Sequence, residues 1–209
     1  CLGCGKRGSL AFLDRTIGSH FVPVTHRQTS NVLPRWKKWG DSLEEIAESS
    51  HKLLKKFKQF QTYFRKRKIE EFIERGNFGY RDGWAVLPVM DIQRRVVDIV
   101  VRNTKSESSS RYFLLGNELS EHSSLYSPDW NRVQKSSVIY CVMGMLDVWS
   151  LEALELPVVT GITGKSINPD LLYSLGNRII ILPDADEEKE AHTIANKLGW
   201  KCRVKELSY

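Results

Sequence analysis

A mixed α/β protein is expected from this sequence: a parallel sheet flanked by helices, preceded by a smaller strand-rich α+β subdomain and a basic helical segment. Three observations carry that expectation. From Val138 onward, short apolar runs alternate with stretches of helical spacing, the pattern of parallel strands joined by crossover helices. Upstream, Trp84–Met90 and Val96–Arg102 are β-branched runs joined by Asp91-Ile92-Gln93-Arg94-Arg95, a hairpin pattern without the favoured Asn-Gly turn. Between them and the N-terminus, Leu43, Ile46, Leu53, Leu54, Phe57 and Phe60 recur at helical spacing. The chain divides accordingly into 1–30, half of a metal knuckle and a linker; 31–80, the basic helical segment; 81–134, the strand-rich subdomain; and 135–209, the parallel-sheet domain.

The 209 residues allow one large domain or two to three small ones, and the formal charge of +6 suits a polyanionic partner without demanding one. No apolar run is long enough to span a bilayer, so no membrane partner is expected. The chain opens on Cys-Leu-Gly-Cys and not on a basic-then-apolar leader, which makes a cytoplasmic location the default. Four cysteines at positions 1, 4, 141 and 202 do not make a secreted disulfide framework. Cys141 falls in an apolar run, as a core thiol does.

Taken in order, Cys1 and Cys4 form a C-x-x-C turn followed by glycine, a geometry that points two thiolates at one metal. A tetrahedral zinc site needs two more ligands, so an upstream half is expected beyond Cys1. Residues 15–40, with Pro23 and Pro34, read as a linker, and a strand is expected within it near Phe21–Val24. Asp41-Ser42, followed by Glu44 and Glu45, reads as a helix start. The stretch 52–68 holds Lys52, Lys55, Lys56, Lys58, Arg65, Lys66, Arg67 and Lys68 with no acid. Phe57, Phe60, Tyr63 and Phe64 interleave with these cations. One reading is a phosphate-contacting surface with rings for bases; the other places the rings in the core and the charges in water. Gly76–Gly83 ends the helical pattern. Tyr112–Leu115 is a further strand, after a polar loop at Lys105–Ser110, and Ser120–Arg132 reads as turn-like.

In the C-terminal unit, strands are expected at Val138–Val142, Pro157–Thr160 and Arg178–Leu182. Helices are expected at Leu146–Leu154, Pro169–Leu175 and Glu187–Leu198, the last ending at Gly199. In a parallel sheet, functional groups belong at the C-terminal strand ends. Asp184 and Asp186 stand at such an end, two apart, where both can reach one divalent cation. An aspartate there also serves as a helix N-cap, and the two roles are compatible. Thr160-Gly161-Ile162-Thr163-Gly164-Lys165-Ser166 nearly spells the phosphate-cradling loop of nucleotide hydrolases. The first glycine of that loop would stand at Val159, and Pro169 follows too soon for its helix. A glycine-permitted turn facing phosphate through backbone N–H groups fits Gly161, Gly164 and Lys165 better. A nucleotide hydrolase would lose nucleotide binding on Lys165→Ala and tolerate Asp184→Ala.

These elements come in the order found in bacterial and phage DNA primases, and the sequence resembles that family over most of its length. Cys1-Leu-Gly-Cys4-Gly-Lys-Arg-Gly8 resembles the second half of the primase zinc ribbon. Gly79-Tyr80, Trp84–Met90, Asp91 and Val96–Arg102 resemble the first core subdomain, and Tyr112 to Tyr126 the loop leading to the Toprim domain. Val142-Met143-Gly144-Met145-Leu146-Asp147 resembles the Toprim V-E-G-x-x-D motif, Val158 to Ser166 its glycine-containing segment, and Asp184-Ala185-Asp186 its DxD.

The resemblance implies a Toprim-type sheet and metal-dependent primer synthesis on single-stranded DNA during replication. Catalytic groups would be Asp184, Asp186 and Asp147, with magnesium or manganese on Asp184 and Asp186, and zinc on Cys1 and Cys4 once upstream ligands complete the site. The charge pattern adds nucleic-acid contacts from Lys55, Lys56, Lys58, Arg65, Lys66, Arg67, Arg102 and Arg111. Partners would be single-stranded DNA or an RNA–DNA hybrid, nucleoside triphosphates, and a replicative helicase, in the cytoplasm or nucleoid. The sequence departs from the family where its glutamate would stand: position 143 is methionine, whose thioether neither holds magnesium nor accepts a proton. Glu188-Lys189 and Glu121 are further departures. A degenerate, catalytically inactive module that binds nucleic acid or a replication partner is the alternative that Met143 raises.

Overall fold

The computed structural model describes residues 34–91, 93–104, 112–115, 125–162, 167–184 and 186–205. Cys1, Cys4, Arg111, Gly164, Lys165, Glu121 and the strand expected at Phe21–Val24 lie outside the described residues. The first described element is a 3-10 turn at Pro34–Trp39, followed by helix α1 at Leu43–Lys56. Ser42 caps α1 by accepting from the Glu45 N–H, while the Glu45 carboxylate accepts from the Asp41 N–H, a reciprocal cap that fixes the start expected from the sequence. The helix ends at Lys56. A 3-10 turn at Lys58–Gln61 and the short helix α2 at Thr62–Lys66 continue the basic segment, so its apolar spacing is broken into two pieces.

Four antiparallel strands follow: β1 Gly79–Arg81, β2 Trp84–Met90, β3 Val96–Asn103 and β4 Tyr112–Leu114, in spatial order β1-β2-β3-β4. The β1–β2 turn is Asp82-Gly83, both at positive φ (51° and 86°), the two-residue geometry that matches strand twist. The β2–β3 connection is closed by the buried Asp91, whose carboxylate accepts from the Arg95 N–H and pairs with its guanidinium at 2.6 Å. One face of this sheet (Val86, Ile99, Val101) packs under Trp36, Trp39, Leu43 and Ile46. Helix α1 runs close to β1, because a Cβ on Gly79 would sit 2.6 Å from Ser50 Cβ.

The second sheet is built from β5 Leu125–Tyr126, β6 Val138–Val142, β7 Val158–Gly161, β8 Arg178–Leu182 and β9 Cys202–Val204, in spatial order β5-β7-β6-β8-β9. Strands β6 to β9 are mutually parallel and β5 is antiparallel. Helices α3 Trp130–Lys135, α4 Asp147–Glu152, α5 Pro169–Ser174 and α6 Glu188–Leu198 accompany it. The stretch 120–132, expected to be turn-like, thus contains β5 and the start of α3. Cys141 is a fully buried thiol whose ionisation burial pushes far up, as a core thiol requires.

The two sheets share a core. Ala85, Leu87, Val89 and Val100 from the antiparallel sheet meet Phe64, Phe72 and Phe78, and these meet Val142, Leu146, Val148 and Trp149 from the parallel unit. Phe78 and Trp149 touch edge to face at 5.0 Å. An ion-pair cluster joins the same units: the Glu152 carboxylate is buried between Arg75 at 2.5 Å and Arg132 at 2.8 Å. Among the described residues, no helix is long and apolar enough to cross a membrane.

Candidate nucleic-acid and metal site

At the C-terminal end of β6 the chain turns through Met143 and Gly144 into α4. The Gly144 carbonyl accepts from the N–H groups of Asp147 and Val148. The Asp147 carboxylate folds back over Gly144 so closely that a Cβ there would collide with Oδ2. Glycine is therefore what permits the carboxylate to occupy this position. At the end of the neighbouring strand β8, Pro183 is buried and Asp184 and Asp186 are exposed. The N-cap of α6 is Glu187, without a side-chain capping bond, so neither aspartate serves as the cap envisaged from the sequence.

The topology brings Asp147 and Asp184 within electrostatic reach. Burial raises the Asp147 pKa above the usual carboxylate range, and the like charge of Asp184 raises it further. Arg67, which follows α2, and Arg102, on β3, oppose that rise. Charges from the preceding segment and from the antiparallel sheet thus act on a carboxylate of the parallel unit. Beside them opens a cavity of about 590 Å³ lined by Tyr63, Lys66, Arg67, Thr104, Leu146 and Ser150. Arg67 belongs to both the cavity wall and the charge cluster, and its guanidinium lies 5.3 Å from the Tyr63 ring centre.

The remaining sequence-expected residues are dispersed. Gly161 ends β7 and is buried. Lys55 is paired with Glu74 at 2.9 Å, and Lys56 lies 5.4 Å from the Phe57 ring centre. Lys58 and Arg65 are exposed. Of the interleaved aromatics, Phe64 is buried, Phe60 and Tyr63 are partly buried against the shared core, and Phe57 is exposed. Tyr63 alone of the four lines the cavity. Thr104, Leu146 and Ser150 were not singled out from sequence; nothing in their local pattern marks them, since the packing of two subdomains brings them together.

Met143 is buried among Ile139, Cys141, Val159 and Ile167, in the second apolar cluster. The described residues contain no group of three or more histidine, cysteine, aspartate or glutamate side chains placed to hold a metal. Asp147 and Asp184 are a pair. Magnesium is commonly held by one or two carboxylates together with waters and substrate phosphates, so Asp147 and Asp184 are the residues of this region with the oxygen donors that such a cation takes.

An antiparallel sheet packed through a common core against a parallel-rich, helix-flanked sheet is a fold shared with primase catalytic cores. A DnaG primase catalytic domain bound to ssDNA superposes with a TM-score of 0.62 at 15% identity, covering 79% of this chain and 71% of that one. The E. coli primase catalytic core gives 0.62 at 14% identity, covering 78% and 70%. The RNA polymerase domain of Mycobacterium tuberculosis primase DnaG gives 0.50 at 13% identity, covering 97% and 77%. At these identities the likeness is one of fold. No protein-family model and no curated protein matches the sequence.

Proposed function

We propose that this chain is a DNA primase-like Toprim protein of DNA replication that binds single-stranded DNA, or an RNA–DNA hybrid, along the cleft between its two sheets. The observation that carries the reading is the cavity in which Tyr63, Lys66 and Arg67 of the basic segment meet Thr104, Leu146 and Ser150, with Asp147 next in the chain after Leu146. Guanidiniums and Lys66 bind phosphates, and the Tyr63 ring offers a base a stacking surface. Asp147 and Asp184 would hold magnesium or manganese, with Asp186 two residues beyond Asp184. When bound, the cation would neutralise triphosphate charge and lower the pKa of the attacking 3′-hydroxyl. The chain's own contribution is to place the phosphates with Arg67 and Arg102 and to keep Asp147 fixed over Gly144. Zinc on Cys1 and Cys4, with ligands from outside this sequence, and a replicative helicase as partner belong to the same reading.

A second reading is a catalytically inactive module that binds nucleic acid or a replication partner. The burial of Met143 in apolar core favours it, because the family's glutamate position offers no metal ligand here. Primer synthesis decides between the two. The assay uses labelled ribonucleotides on single-stranded DNA with magnesium or manganese, alongside the Asp147→Asn, Asp184→Asn double variant. Product from the parent alone supports catalysis by the carboxylate pair. No product from either, with single-strand binding intact, rejects catalysis and leaves the binding module. An equally active double variant removes the carboxylates from the chemistry.

A further inference from the structure

We propose that the end of the parallel sheet opposite the cleft carries a second single-strand contact, in which Trp200 and Tyr173 stack on bases and Lys201 meets the phosphates. The topology separates the two places. Asp147 and Asp184 follow the C-terminal ends of β6 and β8, whereas Trp200-Lys201 immediately precede β9, and α5, which carries Tyr173, precedes β8. Because β6, β8 and β9 are parallel, the latter residues lie at the strands' N-terminal end.

Trp200 is 80% exposed and Tyr173 53% exposed, two of only four large hydrophobic side chains that are exposed among the described residues. Lys201 Nζ lies 4.1 Å from the Tyr173 ring centre and 6.0 Å from that of Trp200, so one ammonium is shared by two open rings. The two segments that build the patch, 169–178 and 195–203, contain Arg178, Lys197, Lys201 and Arg203 against a single carboxylate, the exposed Asp170. Arg178, Lys197 and Arg203 are exposed. A protein-binding hot spot places its aromatic anchor in a packed, desolvated apolar surround. Here the two open rings share the Lys201 ammonium instead. Open rings beside a phosphate-binding cation are what a sequence-tolerant single strand recognises.

The test uses the full chain and oligo(dT). Trp200 emission is obtained as the difference between the parent and Trp200→Phe, and its quenching by acrylamide is measured with and without oligo(dT). Oligo(dT) is expected to protect Trp200, and to do so also in the Arg67→Ala, Arg102→Ala variant. Trp200→Ala combined with Tyr173→Ala is expected to weaken oligo(dT) binding about tenfold or more, with unchanged circular dichroism. Unaltered quenching of Trp200, or a double variant that binds like the parent, overturns the proposal. Protection by polyglutamate and not by oligo(dT) overturns it in favour of an acidic protein partner. The cleft is read out separately: a cleft without nucleic acid leaves the Arg67→Ala, Arg102→Ala variant at parental affinity, whatever Trp200 reports.

Discussion

Asp147 is held half-buried over Gly144 and beside Asp184, so its proton is retained to higher pH in the folded chain than in the unfolded one. The unfolded carboxylate therefore ionises first as pH rises, and Asp147 costs stability increasingly from its ordinary range up through its raised folded value. Below that range the cost vanishes. Asp147→Asn should then be more stable than the parent at neutral pH and no more stable in acid. Urea unfolding of both proteins across pH checks this; a difference that does not vary with pH would contradict it. Gly144→Ala tests the same geometry differently. Its Cβ meets only the end of the Asp147 side chain, which can rotate away. Thermal stability should stay near the parent's while any metal-dependent activity falls, and a variant with parental activity would show that the carboxylate's place over Gly144 is immaterial.

Secondary-structure elements differ in how openly the sequence declares them, and the reason is physical. Strands β6 and β8 are interior strands of the parallel sheet, so Val138–Val142 and, after Arg178, residues 179–182 read as apolar runs. Helix α1 is announced by the reciprocal cap between Ser42 and Glu45. By contrast β5, with two residues, and β9, with three, are edge strands whose residues acquire meaning only by pairing with β7 and β8. Strand β1 carried a usable signal, the Asp82-Gly83 turn, which is as strong a hairpin mark as Asn-Gly. The carboxylates at the strand ends were legible, Asp184 by its position after an apolar strand and Asp147 through the family resemblance. The convergence of Arg67 and Arg102 upon them was not, because it depends on how α2 and β3 pack against a later sheet. The joint between those elements is itself testable. Glu152 is buried between Arg75 and Arg132, each partly exposed. Glu152→Ala removes the carboxylate shared by two partly exposed guanidiniums, which keep Asp129 as a partner, and should destabilise the protein by about 1.5 kcal/mol, measured by urea denaturation; a loss within error of zero would mean that Asp129 and solvent satisfy the guanidiniums.

The molecule as a unit is organised around one apolar core shared by both sheets, in which Phe72, Phe78 and Tyr126 surround Trp149 and Phe64 stacks on Phe78. Neither sheet can expose its side of that core without stripping the other of its packing, so unfolding should be a single transition. Near-ultraviolet and far-ultraviolet circular dichroism should give coincident urea curves, and separated curves would contradict a common core. The same packing makes the cleft: a basic wall from the N-terminal elements and an acidic edge from the parallel unit meet only when both are folded. The decisive measurement is the salt dependence of single-stranded DNA binding by the parent and by the Arg67→Ala, Arg102→Ala variant. If the cleft holds the strand through these guanidiniums, the variant binds more weakly, and its log–log salt slope is shallower by about 1.4, roughly 0.7 for each phosphate that is no longer neutralised. Equal affinity and equal slope in the two proteins would contradict the assignment of nucleic acid to this cleft.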